Sequence, residues 1–175
     1  DIVKMTGGCH GAHDAALVNA GSGSAEGVPS SKGVLADTAR HTHVVEYNAA
    51  QAMADLLEGN GDIACVIMEP VLGNVGVIPP QKGYLEEVRK ITAENDVILI
   101  FDEVITGFRV SSGGAQKRYG VTPDMTTMAK MPKNHNIFRN FSFITWHIYG
   151  KGKRTRLHDD GACTQTRWSS PQSRK

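Results

Sequence analysis

The chain has 175 residues, of which 40% are apolar and 21% charged, with a formal net charge of +1. This is enough to bury one core and carry an appendage, no apolar run approaches the ~20 residues of a membrane span, and no amino-terminal signal peptide is visible. Its three cysteines are odd in number, far apart and without CxxC spacing, which argues against a disulfide scaffold or a cysteine-rich zinc site and fits a reducing cytoplasm.

The first residue is Asp1 rather than Met, so the chain is expected to begin inside a longer gene. It opens with a short strand at Ile2-Val3 and a glycine turn at Gly7-Gly8. In the following cluster, Cys9-His10-Gly11-Ala12-His13-Asp14, two histidines three apart lack a third ligand, so no metal site is expected. Residues 20–35 are rich in Gly, Ser and Pro. A loop of that length inside a compact domain is expected to be a lid or a linker. The run His41–Tyr47 reads as a strand with His41 and His43 on one face, and with no acid nearby in sequence they read as a solvated or core pair. Asn48 is expected to cap the next helix, with Gln51 completing a capping box. Ala52, Met53, Leu56 and Leu57 form its buried stripe, and Gly59 stops it.

Residues 63–68 form a second apolar strand, ending at Glu69-Pro70. After a loop closed by Pro79-Pro80 and Gly83, residues 84–94 place Leu85, Val88 and Ile91 on one helical stripe with Glu86, Glu87, Arg89 and Lys90 outside. The unbroken β-branched run 97–101 then reads as a strand buried on both faces of a parallel sheet. Strand, helix and strand make a βαβ unit, so Glu69, Asn74 and Asp102 are expected at one sheet edge, where ligands of open α/β sheets bind. An acid leaving a buried strand and a lone lysine downstream, Asp102 and Lys130, suit pyridoxal-phosphate chemistry. The carboxylate keeps the pyridine nitrogen protonated, and the amine bonds the aldehyde and moves protons.

The run DEVITGFRVSSGGAQ from Asp102, with YGVTPDMTTMAK behind it, resembles the class III aminotransferase family of pyridoxal-phosphate enzymes. The segment Glu69-Pro-Val-Leu-Gly-Asn74 resembles that family's EPV-x-GN motif, and His10-Gly11 its aromatic-His-Gly motif. The resemblance implies part of the large domain of a fold-type-I enzyme, an α/β fold with a mostly parallel sheet and flanking helices. It implies pyridoxal 5'-phosphate bound through Lys130, with Asp102 on the ring nitrogen and Val104 against the ring face. It further implies Asn74 at the phenolic oxygen, Glu69 bracing the wall and His10 beneath the ring. Cys9 departs from the pattern, standing where the aromatic ring would stack. Residues 20–35 are similar to a mobile gate. The GFRVSSGGAQ piece looks most like an aminomutase branch, which implies the small-molecule substrate glutamate 1-semialdehyde, its conversion to 5-aminolevulinate in tetrapyrrole synthesis, and a homodimer in the intact family. The family's phosphate-binding turn is expected before residue 1.

The motif resemblance runs over residues 1–130. Up to that point ten Lys and Arg face sixteen Asp and Glu, a balance of −6, whereas residues 131–175 carry nine against two, or +7. Both tryptophans and no glutamate fall beyond residue 130. Ile144, Trp146 and Ile148 alternate, but no longer period follows. This atypical basic tail is expected to be disordered or to come from a shifted reading frame, leaving an incomplete and inactive fragment. Two other readings stay open: a class III aminotransferase acting on a different amine, and a basic nucleic-acid-binding appendage on a decayed enzyme domain. No recognised nucleic-acid module is visible, and no membrane partner is expected.

Overall fold

The computed structural model describes residues 1–20, 32–129 and 145–148. Among these, six strands form one sheet in the order β2-β1-β3-β4-β5-β6. They are β1 (Ile2–Met5), β2 (Thr42–Val45), β3 (Cys65–Met68), β4 (Ile98–Asp102), β5 (Met125–Met128) and β6 (Thr145–Ile148). β1 through β5 pair in parallel, and β6 runs antiparallel to β5. The helices are α1 (Ala36–Ala39), α2 (Ala50–Glu58), α3 (Tyr84–Glu94) and α4 (Gly114–Tyr119). β3, α3 and β4 form the expected βαβ unit, with Val66 beside Leu99 and Met68 beside Phe101. β6 covers part of the Ile144–Ile148 alternation, while residues 21–31 of the expected lid and most of the basic tail lie outside the described residues. Among the described residues no helix is long and apolar enough to cross a membrane.

The core occupies one face of the sheet. Met53 and Leu57 of α2, with Leu85, Val88 and Ile91 of α3, share a buried cluster with Val3, Met5, Val66, Met68, Leu99 and Phe101. Each such side chain contributes about 1.5–3 kcal/mol by leaving water. α3 forms because its apolar residues recur at helical spacing, Glu86 and Glu87 sit at the positive end of its dipole, and Asn95 Nδ2 bonds the Ile91 carbonyl at 2.9 Å to close it. Asp124 then ties three elements. Its Oδ2 accepts from Arg89 of α3 at 2.6 Å and from the Leu99 amide of β4 at 2.8 Å, just before β5 begins.

Three expectations are corrected. β4 is not buried on both faces: Val97, Leu99 and Phe101 are buried, but Ile98 is 44% exposed and Ile100 half-buried. The run is apolar enough for two covered faces, and the described residues lay helices α2 and α3 over only one. Asn48 does not cap α2. It sits at φ +70, and its side chain instead bonds the Gln81 amide and the Pro79 carbonyl, while Ala49 occupies the cap position and Gln51 bonds Asp55. His41 and His43 do have an acid partner, because parallel pairing of β1 and β2 brings Asp1 alongside. Its two carboxylate oxygens lie 2.8 Å from His41 Nδ1 and from His43 Nε2.

Candidate active site

Because β1, β3, β4 and β5 are parallel, their carboxyl ends reach one edge of the sheet. The loop after β1 carries Cys9 and His10 there, β3 delivers Glu69, and β4 ends in Asp102. The buried Asp102 carboxylate is saturated on three sides. Its Oδ2 lies 2.7 Å from His10 Nδ1, and its Oδ1 accepts from the Val104 amide and the Thr127 hydroxyl, both at 3.1 Å. Thr127 is the register partner of Asp102 across the β4–β5 ladder, so the sheet itself sets this contact. An ionised carboxylate only accepts, which assigns the proton to the Nδ1 that faces it. The ring's other nitrogen, Nε2, is buried without a partner among the described residues.

Glu69 forms the neighbouring wall. Its Oε2 accepts from the Gly73 amide at 2.9 Å and its Oε1 from the Cys9 amide at 3.4 Å. Burial pushes its carboxyl above the usual range, outweighing those two amides and the nearby His10, which pull the other way. Gly73 packs closely, since a Cβ there would lie 3.1 Å from Ile105 and 3.3 Å from Glu69 Oε2, so these side chains would have to give by a few tenths of an ångström. The edge thus brings together His10, Asp102 and Val104 by direct bonds, and Glu69 through the Cys9 backbone. Asn74, which is exposed, shares no hydrogen bond with Asp102 or His10. Lys130 lies outside the described residues; β5, which precedes it, ends at Met128 on the same edge.

Three residues here carried no sequence signal that assigned them a role. Thr127 is one of several threonines, and only strand register singles it out. Glu103 stands beside Asp102 but is fully buried and faces away from it. Its carboxylate accepts from Thr106 Oγ1 at 3.0 Å, the Ala115 amide at 2.6 Å, and Gln116 at 3.3 Å (amide) and 3.0 Å (Nε2). This satisfies the start of α4, and Gln116 Nε2 reaches on to Thr126 of β5 at 2.9 Å. Lys4, in the middle of β1, is also fully buried. A lysine between Val3 and Met5 inside an apolar strand was a legible anomaly.

Comparison with known proteins agrees with this geometry. The family model for aminotransferase class-III matches residues 1–140, past the end of the quoted motifs. A protein of Methanospirillum hungatei named glutamate-1-semialdehyde 2,1-aminomutase is 59% identical over 133 residues, covering 75% of this chain and 32% of that protein. Its namesake in Methanococcoides burtonii is 60% identical over 132 residues, covering 74% and 31%. The chain therefore spans about a third of the length of these relatives. Among solved structures, an omega-transaminase from Sphaerobacter thermophilus superposes with a TM-score of 0.68 at 32% identity, over 74% of this chain and 31% of that one. A glutamate-1-semialdehyde-aminomutase from Pseudomonas aeruginosa PAO1 in complex with PMP gives 0.62, also at 32% identity, over 73% and 28%.

Proposed function

The chain belongs to the class III aminotransferase family, and from that premise we propose that it is part of a pyridoxal 5'-phosphate-dependent aminomutase converting glutamate 1-semialdehyde to 5-aminolevulinate in tetrapyrrole synthesis. The observation that carries this reading is the state of Asp102. A carboxylate offers about four acceptor positions, and three donors are already in place, from His10, Val104 and Thr127. One acceptor position is left for a protonated ring nitrogen, so the donor set suits the cofactor. The relatives' shared name supports this substrate.

When bound, the cofactor supplies an electron sink and an amine carrier. Asp102 would hold the proton on its ring nitrogen, and His10 Nδ1, 2.7 Å from Asp102 Oδ2, fixes the orientation of that carboxylate. Val104, whose amide is fixed on Asp102, would offer its side chain to the ring face. Glu69 braces the wall through the Cys9 and Gly73 amides, and Asn74 serves the phenolic oxygen. Lys130 would be the residue that holds the cofactor through its amine and moves protons for the substrate. The intact enzyme is a cytoplasmic homodimer with no membrane or nucleic-acid partner.

Borohydride reduction after addition of pyridoxal phosphate, followed by peptide mapping, tests the assignment. Label is expected on Lys130 alone, and label spread over Lys82, Lys90 and Lys117 overturns it. The chain by itself is expected to make no 5-aminolevulinate, since each well-placed group removed from an assembled site costs a factor of roughly 10²–10³. Turnover above that of free pyridoxal phosphate refutes this. A second reading, transamination of another amine, draws on the TM-score of 0.68 to the omega-transaminase. Turnover of a keto acid, with none of glutamate 1-semialdehyde, would select it.

A further inference from the structure

We infer that Lys4 is a positioning residue for His10, holding down the loop that carries it and making closure of that loop depend on the charge of its own amine. After β1 the chain turns at the sheet edge through Cys9 and His10, then runs back over the sheet face not covered by α2 and α3. Among the described residues, three bonds between this return arm and the strands or the turn after β1 help to fasten it. Thr42 Oγ1 donates to the Ala15 carbonyl at 2.8 Å, Lys4 Nζ donates to the Val18 carbonyl at 2.5 Å, and the Gly7 amide donates to the Asn19 carbonyl at 2.9 Å. The far end of the loop is held by His10 on Asp102 and the Cys9 amide on Glu69.

Lys4 would otherwise sit half-open in the sheet, because its register partners Val44 and Ile67 are only half-buried. With the loop in place it is fully buried. Closing the loop therefore takes a hydrated ammonium, with three donors to satisfy, into a place where among the described residues the Val18 carbonyl accepts from it. The titratable groups facing it are Cys9 on the loop and Glu69 at the end of β3. Both favour the charged form, and burial outweighs them, lowering Lys4 from 10.5 to about 8. The direction of the linkage follows. With the loop open the amine keeps its proton up to about 10.5; with it closed the proton leaves near 8. Closure thus strengthens as pH rises between those values, and below about 8 the buried charge opposes it at a constant level.

Amide exchange on the full chain without cofactor tests this, with protection factors corrected for the intrinsic pH dependence. A Cys9→Ser background removes the facing thiol. Between pH 8 and 10, protection of the Gly7 amide is expected to rise roughly ten- to a hundredfold relative to β3 amides. The Nδ1 proton of His10, followed by NMR, is expected to persist longer in step with it. In Lys4→Met both are expected to be independent of pH over that range. A flat profile in the Lys4 protein overturns the inference even if the methionine variant fails to fold. A rising profile that survives in Lys4→Met, or that leaves the His10 proton unchanged, also overturns it. The relevance of His10 to catalysis rests on the proposed pyridoxal-phosphate reading, which the lysine mapping tests separately.

Discussion

Replacing Glu103 by alanine should be among the most damaging single changes in the described chain, although the residue touches no reacting group. Its carboxylate is fully buried and accepts four hydrogen bonds, from Thr106, the Ala115 amide and both donors of Gln116. The Thr106 hydroxyl can rotate to another acceptor, and Gln116 Nε2 keeps Thr126. The two backbone amides at the start of α4 cannot move without unwinding the helix. Each buried donor left unpaired costs about 1–3 kcal/mol, and truncation also leaves a small cavity. Set against this, the desolvation of one carboxylate is relieved, so the expected loss is about 3–5 kcal/mol. Urea unfolding followed by circular dichroism measures it. With a slope of about 1–3 kcal/mol per molar, the midpoint should fall by roughly 1–5 M, or the variant should be unfolded without denaturant. Glu94→Ala, at an exposed position of α3, should change stability by less than about 0.5 kcal/mol. A Glu103→Ala loss below about 1 kcal/mol would refute the reasoning and mean that α4 finds other partners.

The remaining expectations concern the wall, the ring position and the tail. Because burial raises the Glu69 carboxyl above its ordinary 4.5, the folded chain keeps a proton there that the unfolded chain has released. Its contribution to stability is therefore largest below that value and declines as pH rises through the raised one. Glu69→Gln should remove this decline, so that the difference in urea midpoint between parent and variant shifts in the variant's favour from pH 4 to pH 7; a constant difference would contradict it. Cys9→Phe would put an aromatic ring at the proposed stacking position and should tighten pyridoxal phosphate by roughly two- to tenfold in a fluorescence titration, with unchanged affinity counting against that placement. Finally, translating the nucleotides after the Lys130 codon in the other two forward frames should reveal a glycine-rich stretch like the family's turn after the lysine, if residues 131 onward come from a shifted frame. Stop-riddled sequence in both frames would end that idea.

The elements with a strong period were legible in the chain itself. α3 was readable to the residue, because Leu85, Val88 and Ile91 keep helical spacing and Gly83 marks the entry. The βαβ unit followed from two apolar runs on either side of it, and that unit put Glu69 and Asp102 at one edge before any coordinates. These are local signals: spacing and side-chain type decide them, and neighbours in space are not needed. Contacts between residues far apart in sequence had no such signal. His10 and Asp102 are 92 positions apart; the resemblance implied a place near the cofactor ring for each, but nothing announced the bond between them. Asp1 meets His41 and His43 because β1 and β2 pair in parallel, which no stretch of either strand announces. Likewise Asn48 had the right neighbours for a capping box, but Gln81 and Pro79 compete for its side chain. Burial was the least local property. An apolar strand such as 97–101 states that it tolerates two covered faces, and a lysine such as Lys4 states that it prefers water. Which face is covered, and that a returning loop seals the lysine, depends on what else the chain lays over the sheet, because desolvation is set by the whole surroundings of a side chain and not by its place in the sequence.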